Sequence, residues 1–524
     1  MNYFMVKNIL TAFSKPITCD LGFFFLLYIL LMGPNFWEYS ILNHVLITWT
    51  LCYLLVLPNL FLPRIPRRIY SAVLLGLASV DFIINMFCSI VLGKVFNDEI
   101  LVIIGATNMN EIREFLMFYI SSQLMLLFVA CFCGLLLLYY LLKKISFKSN
   151  IYASIVYFVL FGVGAVLGLV REDIRTRIFF GKLEYLEAYE ETPNLGEYVS
   201  DPEITFDEKN LPENIVVIIG ESLAKSHSSL YGYEKNTNPR LAGISDSLLH
   251  VYSEVKSPAC NTIACFKSLM STYRQEDGER VKWYECPTLI EVLKRSGYRT
   301  HWLSNQSKFG LWDNIVGRYS DLCDTQYFVG NKFRGLERTD YDEELIGPLM
   351  KLVDGEDTKR NFYVCHLMGS HSQFDSRYPS RFSHFRKEEY EHLSSLSLQN
   401  REIVSCYDNS VLYNDSVVFE LINVFKDKET LLLYFSDHGL DVFKSSNDYC
   451  GHGTGNQNSW EIARQIPFIV YTSQMYRERF PVQTKKIKDS RNIECNSGDL
   501  IFSLMNLCGI QSQRVEFVGN SFWK

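Results

Sequence analysis

Apolar residues dominate the first third of the chain, in five segments that polar stretches separate. Each segment has about the length, roughly 20 residues, that an α-helix needs to cross the hydrocarbon core of a bilayer. The pattern therefore predicts five transmembrane helices, and no segment beyond Arg171 is long enough to span. The predicted spans cover residues 21–37, 41–62, 69–92, 117–142 and 152–170.

Basic residues are distributed unevenly around these spans. Lys and Arg precede the first span and occupy the loops after the second and the fourth, whereas acidic residues prevail in the loop after the third. Because Lys and Arg are retained on the cytoplasmic side, the N-terminus is predicted to lie inside and the chain beyond the fifth span outside. A cleaved signal peptide is the alternative for the short first span, but no small-residue cleavage site follows it.

A connecting segment, residues 172–212, joins the five-span domain at 1–171 to a domain at 213–524. Its first part is amphipathic at helical spacing, so it either lies on the membrane surface or packs on the soluble domain. Strand and helix signals then alternate, which predicts one α/β domain. Strands are predicted at 214–220, 298–303, 362–368, 431–436 and 466–471, and helices at 263–270, 287–296 and 410–425.

Composition changes this picture little. A net charge of -7 and 48% hydrophobic residues would suit an ordinary soluble protein, because they average a membrane part and a soluble part. Nine of the 14 cysteines lie in the predicted soluble domain. This odd number leaves at least one thiol unpaired if all disulfides are intrachain, and the connectivity stays open.

Two apolar strands of the soluble domain end directly in side chains that bind metals. Residues 214–220 precede Glu221, and residues 431–436 precede Asp437 and His438. In open α/β sheets, active sites lie beyond the carboxyl ends of the strands, so these side chains are predicted to meet at one site. Carboxylates and imidazoles bind zinc, and a catalytic zinc site keeps one position open.

Thr262 is the candidate for that open position. It lies in a turn-like stretch just before the helix predicted at 263–270. A hydroxyl at a helix N-terminus and next to a metal is activated as a nucleophile, and the helix dipole favours a bound phosphate. Taken alone, a threonine in this position is ordinarily a helix N-cap.

The soluble domain contains a series of motifs. In chain order they are NIVVIIGESLAKSHSSLYGYEKNTNPRL, SPACNT, PTLIEVLKRSGYRTHWLSNQ, MGSHSQF, YDNSVLYNDSVV, YFSDHG and GHGT. The series resembles the phosphoethanolamine transferases of the Gram-negative envelope, in which GES followed by SLYGY and T-x-P is specific for the family and SDHG is shared across the superfamily. The resemblance implies a five-span inner-membrane enzyme whose periplasmic domain belongs to the alkaline phosphatase and sulfatase superfamily, with a mixed sheet sandwiched by helices.

The resemblance implies a zinc site in which the threonine is both a ligand and the nucleophile that becomes phosphorylated. The residues of this site are Glu221, Thr262, Asp437 and His438. A second metal is also compatible with the family. His371 and His452 match two histidines near the transferred phosphate, where they bind it, move protons or hold that second metal.

Three further residues are expected to contact substrate. Lys308 falls near a family lysine, but the cysteines that flank that lysine in lipid A-modifying relatives are missing here, which argues mildly against lipid A as acceptor. Thr107 and Glu111, in the loop after the third span, match a polar element that meets the lipid headgroup. A merely solvated loop is the alternative.

The function that follows is transfer of phosphoethanolamine through a phosphothreonine. Phosphatidylethanolamine is the expected donor, and lipopolysaccharide, on a core sugar or lipid A, or another envelope glycan is the expected acceptor. The protein is expected in the bacterial inner membrane among its lipids, with the catalytic domain in the periplasm and no nucleic-acid partner. The alternatives are a phosphoglycerol transferase that uses phosphatidylglycerol, and a scaffold with a degenerate domain.

Other polar residues of these motifs are predicted to be structural. Ser222 is an unsuitable hydrolase nucleophile, because the second glycine of a nucleophile elbow is replaced by Ala224. A sulfatase would need a modified cysteine in C-x-P-x-R, which the residues after Cys260 do not match. The residues expected to pack or to support ligands are His227, His366, Asp408, Asn409 and Asp415.

Overall fold

The computed structural model describes residues 21–32, 41–91, 122–143, 151–170, 204–274, 281–306, 308, 315–329, 341–355, 358–452, 456–512 and 521–523. The described residues up to 170 belong to one compact unit, and those from 204 onward belong to a second. Thr107 and Glu111, and most of the predicted connecting segment, lie outside the described residues.

Five described helices of the first unit overlap the five predicted spans. One segment within them, Arg64–Ile90, is both long and apolar enough to cross a membrane, and the other apolar segments found among the described residues are shorter. The count of five spans therefore stays a prediction. The helices are α1 (Leu21–Met32), α2 (Ile41–Val56), α3 (Arg64–Val91), α4 (Ser122–Lys143) and α5 (Ile151–Val170).

The helix α3 exposes large apolar side chains along one face. They recur every three or four residues, which is the spacing of one side of an α-helix. Large exposed apolar faces are unfavourable in water and typical of contact with lipid. The exposed residues of this face are Ile65, Ile69, Val73, Leu77 and Val80.

The second unit is built around a mixed sheet. Its strands are β1 (Ile204–Thr205), β2 (Asn214–Gly220), β3 (Leu249–Val251), β4 (Val255–Lys256), β5 (Arg299–Ser304), β6 (Thr325–Phe328), β7 (Asn361–His366), β8 (Thr430–Ser436), β9 (Asp441–Val442), β10 (Cys450–Gly451), β11 (Phe468–Thr472), β12 (Cys495–Asn496) and β13 (Gln511–Ser512). Seven of these described strands form one sheet in the order β3, β11, β8, β2, β7, β5 and β6. Strands β8, β2, β7, β5 and β6 run parallel, and β11 is antiparallel to both of its neighbours.

Helices cover both faces of this sheet. The strand residues alternate between two apolar cores, with Val217 and Ile219 of β2 in one core and Val216 and Ile218 in the other. The helices are α6 (Thr262–Leu269), α7 (Leu289–Arg295), α8 (Ile315–Asp321), α9 (Ile346–Gly355), α10 (Leu398–Val424), α11 (Gln457–Ala463), α12 (Gln474–Arg479), α13 (Pro481–Asp489) and α14 (Leu500–Cys508).

The five predicted strands correspond to β2, β5, β7, β8 and β11, and the three predicted helices correspond to α6, α7 and α10. In α7, Thr288 and Glu291 form a capping box, and Gly297 follows the helix with φ +86°. Helix α10 begins at Leu398, well before the predicted start, where Ser397 caps it by accepting a hydrogen bond from the Asn400 N–H. The prediction missed these first turns because most of their residues are polar and show no apolar helical pattern.

The buried His250 on the edge strand β3 makes folding pH-dependent. Burial, with help from the nearby Arg491, Arg477 and Lys488, lowers the pKa of His250 from 6.5 to about 4. At a pH below the unfolded-state pKa, His250 is protonated in the unfolded chain but not in the folded chain. The free energy of unfolding is therefore highest above this pKa and decreases as the pH falls. By about pH 5 the loss should reach about 2 kcal/mol.

The substitution His250→Gln should remove this part of the acid sensitivity. Thermal unfolding of both proteins at neutral and acidic pH measures it, and we expect the variant to lose less stability on acidification than the wild type. An equal loss in the two proteins would contradict the assignment to His250.

Candidate active site

The candidate site lies beyond the carboxyl ends of β2 and β8. These strands are parallel neighbours in register, with Gly220 beside Ser436. Glu221 follows the first strand, and Asp437 and His438 follow the second, so all three emerge at the same level. Their side chains are buried. The sheet thus brings together three residues that the sequence predicted as zinc ligands.

The ligand atoms of these residues face one another. His438 Nε2 lies 3.2 Å from Glu221 Oε1 and 3.5 Å from Asp437 Oδ2. One ligand atom from each of the three residues lies within 4.8 Å of the others. Carboxylates and imidazoles are ligand types that zinc binds, and three protein ligands would leave a fourth position open, as in catalytic zinc sites.

Two details of hydrogen bonding fit a metal at this point. Asp437 Oδ2 is buried and accepts no hydrogen bond from the described residues, whereas Oδ1 accepts from the Ser222 N–H at 3.3 Å and the His438 N–H at 2.6 Å. His438 Nδ1 lies 2.9 Å from the Gly439 carbonyl oxygen. Nδ1 is therefore assigned a proton that it donates to this carbonyl, and Nε2 can bind a metal once the metal displaces its proton.

The pKa values reflect crowding of negative charge. Burial and the Glu221 carboxylate raise the pKa of Asp437. Burial alone would raise the pKa of Glu221, but the hydrogen bond and charge of His438 hold it well below its usual range. Burial opposes the charged form of His438, yet the Asp437 and Glu221 carboxylates raise its pKa to about 9. A divalent cation would relieve the repulsion between the carboxylates.

Thr262 is the first residue of α6 and points its hydroxyl at this cluster. Thr262 Oγ1 lies 3.2 Å from Glu221 Oε2 and 3.4 Å from His438 Nε2. The N-cap is Asn261, whose Oδ1 accepts a hydrogen bond from the Ala264 N–H at 2.9 Å. The threonine hydroxyl is therefore not needed as the cap and is directed at the cluster instead.

His452 lies directly against the cluster. Its ring centroid is 4.1 Å from that of His438, and its Nδ1 lies 2.7 Å from the Cys260 carbonyl oxygen. Burial and the neighbouring His438 lower the pKa of His452 to about 3. Its imidazole is thus neutral at pH 7, with the proton on Nδ1 and a lone pair on Nε2.

His371 lies in the loop after β7, which packs tightly on Glu221. Gly369 in this loop has φ +56°, and a Cβ there would lie 2.7 Å from the Glu221 backbone nitrogen. The Ser370 N–H donates to the Glu221 carbonyl at 2.9 Å. Burial lowers the pKa of His371 to about 4, although the Glu221 charge opposes this. The loop therefore places a neutral imidazole on the side of Glu221.

Two residues that support the site were not singled out by the sequence. Gln306 Nε2 donates to Glu221 Oε2 at 3.2 Å and to the Leu367 carbonyl at 3.0 Å. The buried Asp342 accepts from the Met368 N–H at 2.7 Å and the Gly369 N–H at 2.9 Å, so it anchors the His371 loop. Gln306 follows the carboxyl end of β5, and that position was the available signal in the sequence.

Lys308 is engaged away from the zinc ligands. Its Nζ lies 2.6 Å from Asp321 Oδ1 and 2.7 Å from Gln326 Oε1, on α8 and β6. A role in substrate binding would require Lys308 to exchange these acceptors for a phosphate or another anion, and that role stays a prediction.

Several residues expected to be structural are buried in hydrogen-bonded positions. His227 Nδ1 lies 2.7 Å from Asp408 Oδ1. The Asn409 carboxamide oxygen accepts from the Phe385 N–H at 2.7 Å, and Asp415 accepts from the Leu241 N–H at 3.1 Å. His366 is fully buried at the end of β7.

The thiols of Cys260 and Cys265 contact different backbone groups. Cys260 Sγ donates to the Trp460 carbonyl at 3.3 Å, and Cys265 Sγ donates to the Ala259 carbonyl at 3.2 Å.

Comparison with known proteins assigns the second unit to a family. Residues 213–510 match the family model for the sulfatases. The chain is 25% identical to the phosphoethanolamine transferase EptC of Escherichia coli (strain K12) over 452 residues, which cover 80% of this chain and 76% of that protein. It is 26% identical to the phosphoethanolamine transferase CptA of Salmonella typhimurium over 459 residues, which cover 80% of this chain and 76% of that protein.

Solved structures show the same fold. The C-terminal periplasmic domain of EptC from Escherichia coli, in complex with Zn, matches with a TM-score of 0.56 at 25% identity and covers 62% of this chain and 89% of that one. The integral membrane protein lipooligosaccharide phosphoethanolamine transferase A from Neisseria meningitidis matches in fold with a TM-score of 0.63 at 17% identity and covers 97% of both chains. The chain therefore belongs to the sulfatase family, within the alkaline phosphatase superfamily, and its homologues are phosphoethanolamine transferases.

Proposed function

We propose that this protein transfers phosphoethanolamine from phosphatidylethanolamine to lipopolysaccharide, on a core sugar or lipid A, or to another envelope glycan. The observation that carries the proposal is the approach of the Thr262 hydroxyl, at a helix N-terminus, to Glu221 and His438. A hydroxyl in this position suits nucleophilic attack on a phosphate.

In the first half of the reaction, Thr262 Oγ1 attacks the phosphorus of the donor. The bond between phosphorus and the glycerol oxygen breaks, and diacylglycerol leaves with the proton that Thr262 gave up. Zinc held by Glu221, Asp437 and His438 would supply positive charge that lowers the pKa of the hydroxyl and stabilises the phosphoryl oxygens. The protein then carries phosphoethanolamine on Thr262.

In the second half, an oxygen of the acceptor attacks the phosphorus and Thr262 leaves. A proton must pass from the acceptor to the threonine oxygen, and our proposal assigns this transfer to His371 or His452. Both imidazoles are neutral at pH 7, because their pKa values are lowered to about 4 and about 3. A neutral imidazole can accept a proton and pass it on.

A membrane-embedded first unit supports a lipid donor. The apolar segment Arg64–Ile90 is long enough to cross a bilayer, and the resemblance to membrane-bound relatives extends along the whole chain. We propose that the catalytic unit lies in the periplasm, at the outer surface of the bacterial inner membrane. One relative is named Kdo(2)-lipid A phosphoethanolamine 7''-transferase, which supports a glycolipid of the envelope as acceptor.

Donor specificity tests this proposal. Purified full-length protein in detergent is given phosphatidylethanolamine or phosphatidylglycerol, each labelled in the diacylglycerol, and the released diacylglycerol is measured. We expect release from phosphatidylethanolamine and none from chelator-treated protein. Release from phosphatidylglycerol alone would contradict the proposal and support the phosphoglycerol transferase. Mass spectrometry of lipopolysaccharide fragments from cells with and without the gene would identify the acceptor.

A further inference from the structure

The turn after Glu221, residues 221–224, has a strained backbone. Ser222 adopts φ +57°, in the left-handed region that residues other than glycine rarely occupy. Ser222 is also buried. Strained residues of this kind persist where surrounding contacts fix them, and they cluster at functional sites.

The strained conformation lets Ser222 contact two zinc ligands at once. Its hydroxyl donates to Glu221 Oε1 at 2.9 Å, and its N–H donates to Asp437 Oδ1 at 3.3 Å. The next residue connects to the third ligand, because the Leu223 N–H donates to Ser436 Oγ at 2.8 Å and that hydroxyl donates to the His438 carbonyl at 2.7 Å. A change in the turn would therefore disturb all three ligands.

One side chain from a distant element holds the turn. Tyr407, in the middle of α10, is fully buried. Its hydroxyl donates to the Ser222 carbonyl at 2.7 Å and accepts from the Ala224 N–H at 2.7 Å. The Tyr407 hydroxyl thus provides a hydrogen-bond partner for both the Ser222 carbonyl and the Ala224 N–H. No other described residue contacts both groups in this way.

The Tyr407 ring also packs on the loop that carries His371. Its centroid lies 4.9 Å from that of Phe374 in an edge-on arrangement. On another side it lies 5.1 Å from the ring of His227, which is fixed by Asp408. The phenol is thus immobilised from several directions and offers its hydroxyl to the turn in one orientation.

We propose that Tyr407 is a positioning residue for the zinc site. Its hydroxyl clamps Ser222 in the left-handed conformation and so aims the Ser222 hydroxyl and N–H at Glu221 and Asp437. The inference rests on the proposed function in that it takes these carboxylates to be zinc ligands. It adds a residue that touches neither the metal nor the substrate.

The substitution Tyr407→Phe tests the clamp because it keeps the ring and removes only the hydroxyl. Zinc affinity of the full-length protein in detergent is measured by competition with a chromophoric chelator. We expect about 10- to 100-fold weaker binding, as is typical when a partner of a ligand is removed. The matched control is Tyr413→Phe in the same helix, whose buried hydroxyl accepts from the Glu343 N–H at 3.0 Å, and it should leave zinc affinity unchanged.

A double substitution separates clamping from general damage. Glycine adopts positive φ freely, so in a Ser222→Gly background the Tyr407→Phe change should weaken zinc binding much less than in the wild type. An equal loss in both backgrounds, or equal affinities of Tyr407→Phe and wild type, would overturn the proposal. If Tyr407→Phe alone does not fold, Ser222→Gly and the double variant carry the test: equal affinities support the clamp, and a further large loss refutes it.

The outcome is distinguishable from failure of the proposed function. Zinc affinity is read without donor or acceptor, so a wild type that binds zinc but releases no diacylglycerol from phosphatidylethanolamine would contradict the function and leave the clamp intact.

Discussion

Replacing Thr262 with alanine should abolish both release of diacylglycerol and transfer to the acceptor. The hydroxyl of this side chain lies within 3.4 Å of Glu221 and His438, and loss of a covalent nucleophile lowers kcat by on the order of 10⁴-fold or more. Zinc affinity should fall far less, because Glu221, Asp437 and His438 remain. Diacylglycerol release and zinc content, measured on the same preparation, test both statements.

Two variants bracket this result. Thr262→Ser should keep partial activity, because the hydroxyl survives and only the methyl group that restricts its rotamers is lost. Ser268→Ala removes a buried hydroxyl from the same helix that has no hydrogen-bond partner among the described residues, and it should keep full activity. Continued release of diacylglycerol by Thr262→Ala would show instead that water attacks the donor directly.

The substitution Asp437→Ala should eliminate zinc binding and activity together. Asp437 is one of the three clustered residues, and its Oδ2 accepts no hydrogen bond from the described residues. Since removal of a mere supporting partner costs about 10- to 100-fold in affinity, loss of a ligand should cost more than about 100-fold. Glu221→Ala and His438→Ala should act in the same way.

Asp437→Ala should not lower the thermal stability of the metal-free protein, although it removes zinc binding. Burial and the Glu221 charge raise the pKa of Asp437, so the carboxylate is repelled in the absence of a cation. Alanine removes that repulsion, and the metal-free variant should unfold at no lower temperature than the metal-free wild type. Added zinc should raise the unfolding temperature of the wild type alone. An active Asp437→Ala protein without bound zinc would refute the assignment.

The pH dependence of zinc binding follows from the pKa values of two proposed ligands. Zinc needs the deprotonated carboxylate and the neutral imidazole; the pKa of Asp437 is raised, and that of His438 is raised to about 9. Zinc affinity should therefore decline as the pH falls below about 9, at a higher pH than an ordinary aspartate and histidine would require.

The sequence predicted that Glu221, Asp437 and His438 meet at one site, because their placement follows a simple rule. Glu221, Asp437 and His438 each follow a buried strand, and parallel strands deliver such residues to one edge. The proposal that Thr262 is the nucleophile could not be reached in this way, since a threonine before a helix is ordinarily a cap. That role was predicted from the family resemblance. The structure shows that Asn261, rather than Thr262, caps the helix.

The contacts of the supporting residues could not be predicted, because they join distant parts of the chain. Tyr407 forms hydrogen bonds with Ser222 and Ala224, and Gln306 forms one with Glu221. Such contacts depend on how α10 and β5 pack against β2, and apolar periodicity carries no information about a single hydroxyl or carboxamide. The early start of α10 was missed for a related reason, because its first turns are too polar to show a helical pattern.

Intact-mass analysis of the wild type incubated with phosphatidylethanolamine and no acceptor tests the central claim most directly. We predict a mass increase of one phosphoethanolamine group that maps to the peptide containing Thr262, that disappears on addition of acceptor and that is absent from Thr262→Ala. Release of diacylglycerol without any adduct, or an adduct on another residue, would contradict a phosphothreonine intermediate.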